Sequence, residues 1–424
     1  MPISSSRSRW LTDVIGGLIF ALLLTAFQSS PQAATNHPGS DFAQGADQAA
    51  APAAKNKDAS EPTSPAQVKA AVDKLGIVDY PVRMEAARTV RRAPAAIAVP
   101  ALLEAVASHT DGYVRFRSLV LLSGFNDERT RDVMVQALKN PSDRLRAVAS
   151  AYFEHHVDPQ VLPLLLDALG REESEFVRPA LTRALAAYGS DERARGVMGG
   201  LVLKGQDFFR GAVIEALGDY KAAYALPAIT AVAKLDGPLQ DDAVIALGKI
   251  GDKRALETLA ALQRTAPRTT QPSIAAAICL LGINCGSHLG YLVESLKFAM
   301  STTGFQDLLR ASASGLAALA VNGNEEAAEA LITAGVPSRD PARAAIALSL
   351  GAVALRNTPL MLRVLERAPD PKPAIMLLGE AFDMLEEDLD EERFFVAVRK
   401  GYWAAPERSP TRALATALIQ LLEF

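Results

Sequence analysis

At 424 residues the chain is too long for one compact core, which stops growing near about 250–300 residues, so it holds several domains or a repeat array. Hydrophobic residues make up 49% and aromatics only 6%, a balance that speaks against a β-sandwich and for closely packed helices. A formal net charge of −4 excludes a broad nucleic-acid footprint, and two cysteines are too few for a disulfide framework.

The first element in chain order is a targeting segment. Arg7 and Arg9 precede an unbroken apolar run from Val14 to Phe27. A helix needs about 20 residues to span a bilayer, and this run is shorter. The basic start and short apolar middle therefore predict a secretory signal over 1–34, with an uncleaved N-terminal anchor as the alternative. No cysteine follows the run and no arginine pair precedes it, which argues against the lipoprotein and twin-arginine routes. Residues 35–65 are rich in Ala, Pro, Ser and Asp and read as a linker.

From there a period appears. An acid followed by an arginine three or four positions later marks a helix start at Asp79 and Arg83, Asp111 and Arg115, Asp143 and Arg146, Glu175 and Arg178, and Asp207 and Arg210. The interval between successive arginines is constant to within one position. Gln240 fills the same slot one interval after Arg210, and the mark returns at Asp307 and Arg310 and at Asp340 and Arg343. Ser409 and Arg412 close the series. Three positions after the slot stand small residues: Ala86, Ser118, Ala149, Ala243, Ala313 and Ala415. Gly218, Gly248 and Gly351, eight positions after it, suit left-handed caps that end the first helix. Pro100, Pro163 and Pro227 suit the first turn of a second helix. Each unit is thus two antiparallel helices, which can bury their apolar faces only by stacking. The mark is lost at 266–300 and again at 371–400.

The segment DDAVIALGKIGDKRALETLAAL, Asp241 to Leu262, resembles the HEAT family, in particular its phycobilisome-lyase type repeats. The resemblance runs from about Pro65 to Phe424 and implies an all-α, right-handed α-solenoid of about eleven HEAT-like helix pairs over 66–424. In related repeats the acid–arginine ladder is structural. The acids sit where they can cap helix N-termini, and the arginines can bridge units.

No nucleophile elbow, zincin, dinucleotide or phosphate-loop motif is present. Deoxyhypusine-type HEAT hydroxylases hold iron through His-Glu pairs, and this chain has no His-Glu dipeptide. Bilin lyase activity does not suit an exported chain. Glu154, His155, His156 and Asp158 form one metal-capable cluster by residue type, although neighbours on a helix point apart. Cys279 and Cys285 can form a disulfide after export or remain a buried and a loop thiol. Glu386 to Arg393, rich in acids, reads as a solvated loop or helix face. The apolar C-terminal helix reads as an end free to dock.

The expected function is therefore an exported scaffold in the bacterial envelope or periplasm. It needs no cofactor, catalytic residue or metal, and it holds a protein partner along a concave face lined by second helices. The alternative is a metal-dependent or enzymatic protein built on His155 and His156.

Overall fold

The structure, a computed structural model, describes residues 63–385 and 388–424. The expected signal and nearly all of the expected linker lie outside the described residues. Twenty-two α-helices are described and no strand. A single helix α1 (Pro65–Lys74) precedes the repeats. The first helices are α2 (Tyr80–Arg92), α4 (Gly112–Ser123), α6 (Asp143–His155), α8 (Arg178–Ala187), α10 (Asp207–Asp219), α12 (Gln240–Ile250), α14 (Gln271–Leu280), α16 (Gln306–Val321), α18 (Ala342–Arg356) and α20 (Lys372–Leu385). Between them run the second helices α3 (Ala95–Ser108), α5 (Arg129–Ala137), α7 (Leu162–Arg171), α9 (Glu192–Leu201), α11 (Leu226–Ala233), α13 (Leu256–Thr265), α15 (Cys285–Ser301), α17 (Glu325–Gly335), α19 (Thr358–Arg367) and α21 (Asp388–Ala404), and α22 (Pro410–Leu421) follows alone. The fold is an α-solenoid. Its helix count equals that of eleven pairs, set out as ten pairs between two single helices.

Local chemistry starts these helices. Ser64 and Gln67 form a reciprocal capping box on α1. Asp79 caps α2 by accepting from the Val82 amide, and Asp111 caps α4 by accepting from Tyr113. Asp143 and Asp207 lie inside the first turn of α6 and α10, where their charge complements the helix dipole. Pro163 and Pro227 occupy the first turn of α7 and α11. Pro100 does not: it lies within α3, which starts earlier at Ala95.

The first helices stack directly on one another from α4 to α20, and α12 reaches past α14 to touch α16. Second helices from α3 to α13 scarcely meet each other. The first helices therefore form the tight inner layer, so the concave side is lined by them and not by second helices. The cause is side-chain size. Ala86, Ser118, Ala149, Ala243, Ala313 and Ala415 are all buried.

The glycines act in the same way. Gly351 is a helical interior residue, Gly218 and Gly248 lie within the last turns of α10 and α12, and the left-handed cap of α12 is Gly251, at φ +78°. A Cβ on Gly218 would stand 2.9 Å from the Cα of Ala246, and one on Gly248 would stand 2.5 Å from the Cα of Ala277. Both glycines let first helices touch backbone to backbone. Gly248→Ala is therefore expected to lower the urea midpoint. Overpacking costs about 1–3 kcal/mol, against about 1 kcal/mol gained in helix propensity. A raised midpoint would show that α12 and α14 are not in contact there.

Candidate functional site: the interior of the closed solenoid

The acid–arginine slot faces the joints between units. Arg83 donates to the carbonyls of Ile77 and Val78, Arg146 to Asn140 and Pro141, Arg210 to Val202, Arg343 to Gly335 and Val336, and Arg412 to Ala405. Gln240 does the same at Ala233. Carbonyls at a helix C-terminus lack intrahelical partners, and the slot supplies them from the next unit. Arg146 also makes a bidentate pair with Glu172, and Arg343 one with Glu380. Arg210 pairs with Asp207, and Arg310 with Asp307. Arg178, close to Glu175 in sequence, instead lays its guanidinium 4.0 Å over the Phe209 ring. Arg115 follows the Asp111 cap, and its Nε has no hydrogen-bond partner among the described residues. Asp340 accepts from the Ala344 amide. In the stretch where the mark is lost, Gln271 fills the slot by donating to Gln263 and Ala266.

From Asp388 on the acidic run is helical, as one of its two readings had it, but its acids are drawn inward rather than solvated. Helix α21 crosses the concave side and packs on α4, α6 and α18. Leu389 enters the core of the N-terminal half, while Phe394 and Phe395 belong to that of the C-terminal half. Asp388, Asp390 and Glu392 each meet a cation from a distant unit. Glu392, its side chain 1% exposed, lies 2.7 Å from Arg91 Nε and 3.2 Å from Arg399 Nη2. Arg399 also donates to the Arg91 carbonyl, and the Arg91 guanidinium stands 5.0 Å over the Phe395 ring. Asp388 pairs with Arg117. Asp390 lies 2.7 Å from Arg356 Nη1 and from Arg393 Nη1 and 2.9 Å from His155 Nε2. Burial opposes its ionisation, but the His155 hydrogen bond and the Arg356 and Arg393 charges hold its carboxyl well below the usual range. The chain is thus drawn into a ring. The C-terminal helix end is covered too: Phe424 is buried and stacks on Phe395 at 4.1 Å.

Inside the ring runs a second line of charge, at the C-terminal ends of the inner helices. Arg183 donates to both oxygens of Glu154 and, at 2.8 Å, to Asp219, which accepts at 2.6 Å from Lys249. The Tyr220 hydroxyl donates to Glu154. Burial raises the Asp219 carboxyl, yet Lys249, Arg183 and Arg356 together hold it well below its ordinary value. Glu154, Arg183, Asp219 and Tyr220 border a cavity of about 460 Å³, lined on the far side by the ends of α16 and α18.

The histidine cluster does not assemble. His155 goes to Asp390, and His156 stacks flat on Tyr152 at 3.9 Å. Glu154 goes to Arg183, and Asp158 to Arg131. Among the described residues no group of three or more His, Cys, Asp or Glu side chains is placed to hold a metal ion. The sulfurs of Cys279 and Cys285 are bonded to each other.

Asp242, on the inner face of α12, behaves differently. Lost hydration among the surrounding protein, then the charges of Glu215 and Asp241, push its carboxyl up toward about 7, a shift that the remaining solvent exposure of its side chain moderates. An unfolded Asp ionises near about 3.9. Between these values the folded chain binds the extra proton, so stability falls as pH rises toward 7 and stays reduced above it. Asp242→Asn is therefore expected to raise the melting temperature at pH 8 and to change it little at pH 4. Equal effects at both pH values would remove the titration from the account.

The fold thus defines a repeat protein of stacked helix pairs, an α-solenoid. Residues 132–218 match the family of HEAT repeats. No curated protein matches the chain. Among solved structures, the E. coli protein YibA is 18% identical, covering 51% of this chain and 81% of that one, with a TM-score of 0.39. Human deoxyhypusine hydroxylase is 18% identical over 51% of this chain and 96% of that one, TM-score 0.25, and importin beta is 13% identical over 83% and 57%, TM-score 0.35. Likenesses this distant carry no statement about function.

Proposed function

We propose that the chain is an exported, non-catalytic scaffold that holds a protein partner in the bacterial envelope. The observation that carries this reading is a row of exposed apolar side chains along one edge. Val78 and Tyr80 before and at the start of α2, Phe176 before α8, Leu203 and Phe208 around the start of α10, Leu235 before α12 and Phe305 before α16 all stand at turns that lead into first helices. Single exposed apolar residues are ordinary, whereas Phe176, Leu203, Phe208 and Leu235 stand at three successive joints, before α8, α10 and α12, and form a patch of the kind that marks protein contact. The concave face is the less suitable surface, because α21 already crosses it.

Export follows from the basic start and apolar run between Arg7 and Phe27. The test is in-cell crosslinking of the full chain, alongside a variant carrying Phe176→Asp, Phe208→Asp and Leu235→Asp. The expected result is one crosslinked envelope protein, lost in the variant, from a chain recovered in the periplasmic fraction. A crosslink that survives all three changes would move the contact elsewhere, and recovery from the cytoplasm would end the export reading.

A further inference from the structure

We propose that Cys279 and Cys285 form a thiol–disulfide exchange site, a two-electron oxidant of a dithiol, and not merely a staple. The proposal stands on placement and is independent of the scaffold reading. Cys285 is the first residue of the long helix α15. Its N-cap, Asn284, has a positive φ and offers no capping bond from its side chain, so Cys285 stands at an N-terminus whose dipole no side-chain cap offsets. Amides and dipole at a helix N-terminus stabilise a thiolate.

The second observation is a cavity of about 290 Å³ lined by both cysteines together with Lys221, Lys249, Asn322 and Asn324. The Lys249 ammonium is held by Asp219, which leaves Lys221 as the cation bordering the cavity, and the Asn324 amide nitrogen lies 4.0 Å from the Cys285 sulfur. Exposure differs across the bond. Cys279 is 5% exposed within the core, whereas Cys285 is only partly buried and opens on the cavity. A staple needs no opening to solvent; an exchange site does.

The step balances with a dithiol as co-reactant. A thiolate of the dithiol attacks the Cys285 sulfur, a mixed disulfide forms, and Cys279 leaves as a thiolate that takes up a proton. The second thiolate of the dithiol then attacks the mixed disulfide, releasing Cys285 as a thiolate held by the α15 N-terminus. The dithiol is oxidised to a disulfide, and the Cys279–Cys285 bond is reduced by the same two electrons.

The test uses the oxidised full chain, with dithiothreitol as the dithiol and no denaturant. The expected result is two free thiols per chain while the helical circular dichroism is unchanged. In the Cys279→Ser variant the remaining Cys285 should react with iodoacetamide at pH 7 at least tenfold faster than glutathione does, and should form a mixed disulfide with oxidised glutathione. Thiols that appear only as helicity is lost, or a Cys285 no faster than glutathione, would overturn the proposal and leave a structural staple.

Discussion

Glu392→Ala is expected to open the ring. Its carboxylate is buried against Arg91 and Arg399, residues from the opposite ends of the solenoid. Removing one member of such a group leaves buried cations without a counter-charge, at a cost of about 3–5 kcal/mol. The units between α8 and α16 do not pack on α21 and should keep their own contacts. The expected signature is a larger radius of gyration in small-angle scattering, with faster amide exchange in α2, α4 and α21 and little change in α8 to α12. Replacing both Arg91 and Glu392 by methionine should recover part of the loss, because an apolar pair of similar volume needs no desolvation of charge. An unchanged radius with unchanged exchange would mean that apolar contacts of Leu389 and Phe395 close the ring alone. Mild acid should not imitate the mutation. A carboxylate held below its unfolded value contributes stability above about pH 3.9 and loses it only as pH falls through the lower folded value. Asp390 is such a group, so closure should persist from pH 7 to pH 4.

Arg183→Met should be as damaging without changing the overall shape. Among the described residues Arg183 is the cation that bridges Glu154 to Asp219, and each acid lies within the inner layer. Without it Glu154 keeps the Tyr220 hydroxyl and Asp219 keeps Lys249, but Glu154 loses its charge partner. A loss of about 3–5 kcal/mol is expected in urea unfolding followed by circular dichroism. The scattering profile should match that of the parent chain, which separates this internal ladder from the ring closure. A loss below about 1 kcal/mol, the scale of exposed pairs, would show that the ladder is hydrated and contributes little.

The repeat was legible because its marks are local. An acid, an arginine and a small residue at fixed spacing describe one helix start and the joint before it, so Asp79 with Arg83 or Asp143 with Arg146 can be read without knowing any distant contact. Gln271 could have been found by the same counting, one interval after Gln240. The glycines misled because Gly218, Gly248 and Gly351 carry no sign of whether a glycine serves a turn or a close approach, and only the neighbouring helix decides. The acidic run at 386–393 misled for a related reason. Its counter-charges, Arg91, Arg117, His155 and Arg356, come from four separate helices, and each looks like an ordinary surface residue in its own unit. A weak signal did exist for the inner ladder. Glu154, Asp219 and Lys249 are charges placed eight or nine positions after the slot, at the ends of largely apolar first helices.

An open solenoid behaves as a spring whose units answer only to their neighbours, and it can assemble from either end. The bond between Arg91 and Glu392 joins positions 301 apart in sequence, which changes that behaviour. The middle units can still form one after another as the chain emerges, but Arg91 finds its acid only once Glu392 has been made. Until then the early helices carry an uncovered inner edge, and loop closure over such a length makes the last step slow. Once made, the joint turns a stretchable coil into a stiff hoop, so the rim presents its side chains at fixed separations.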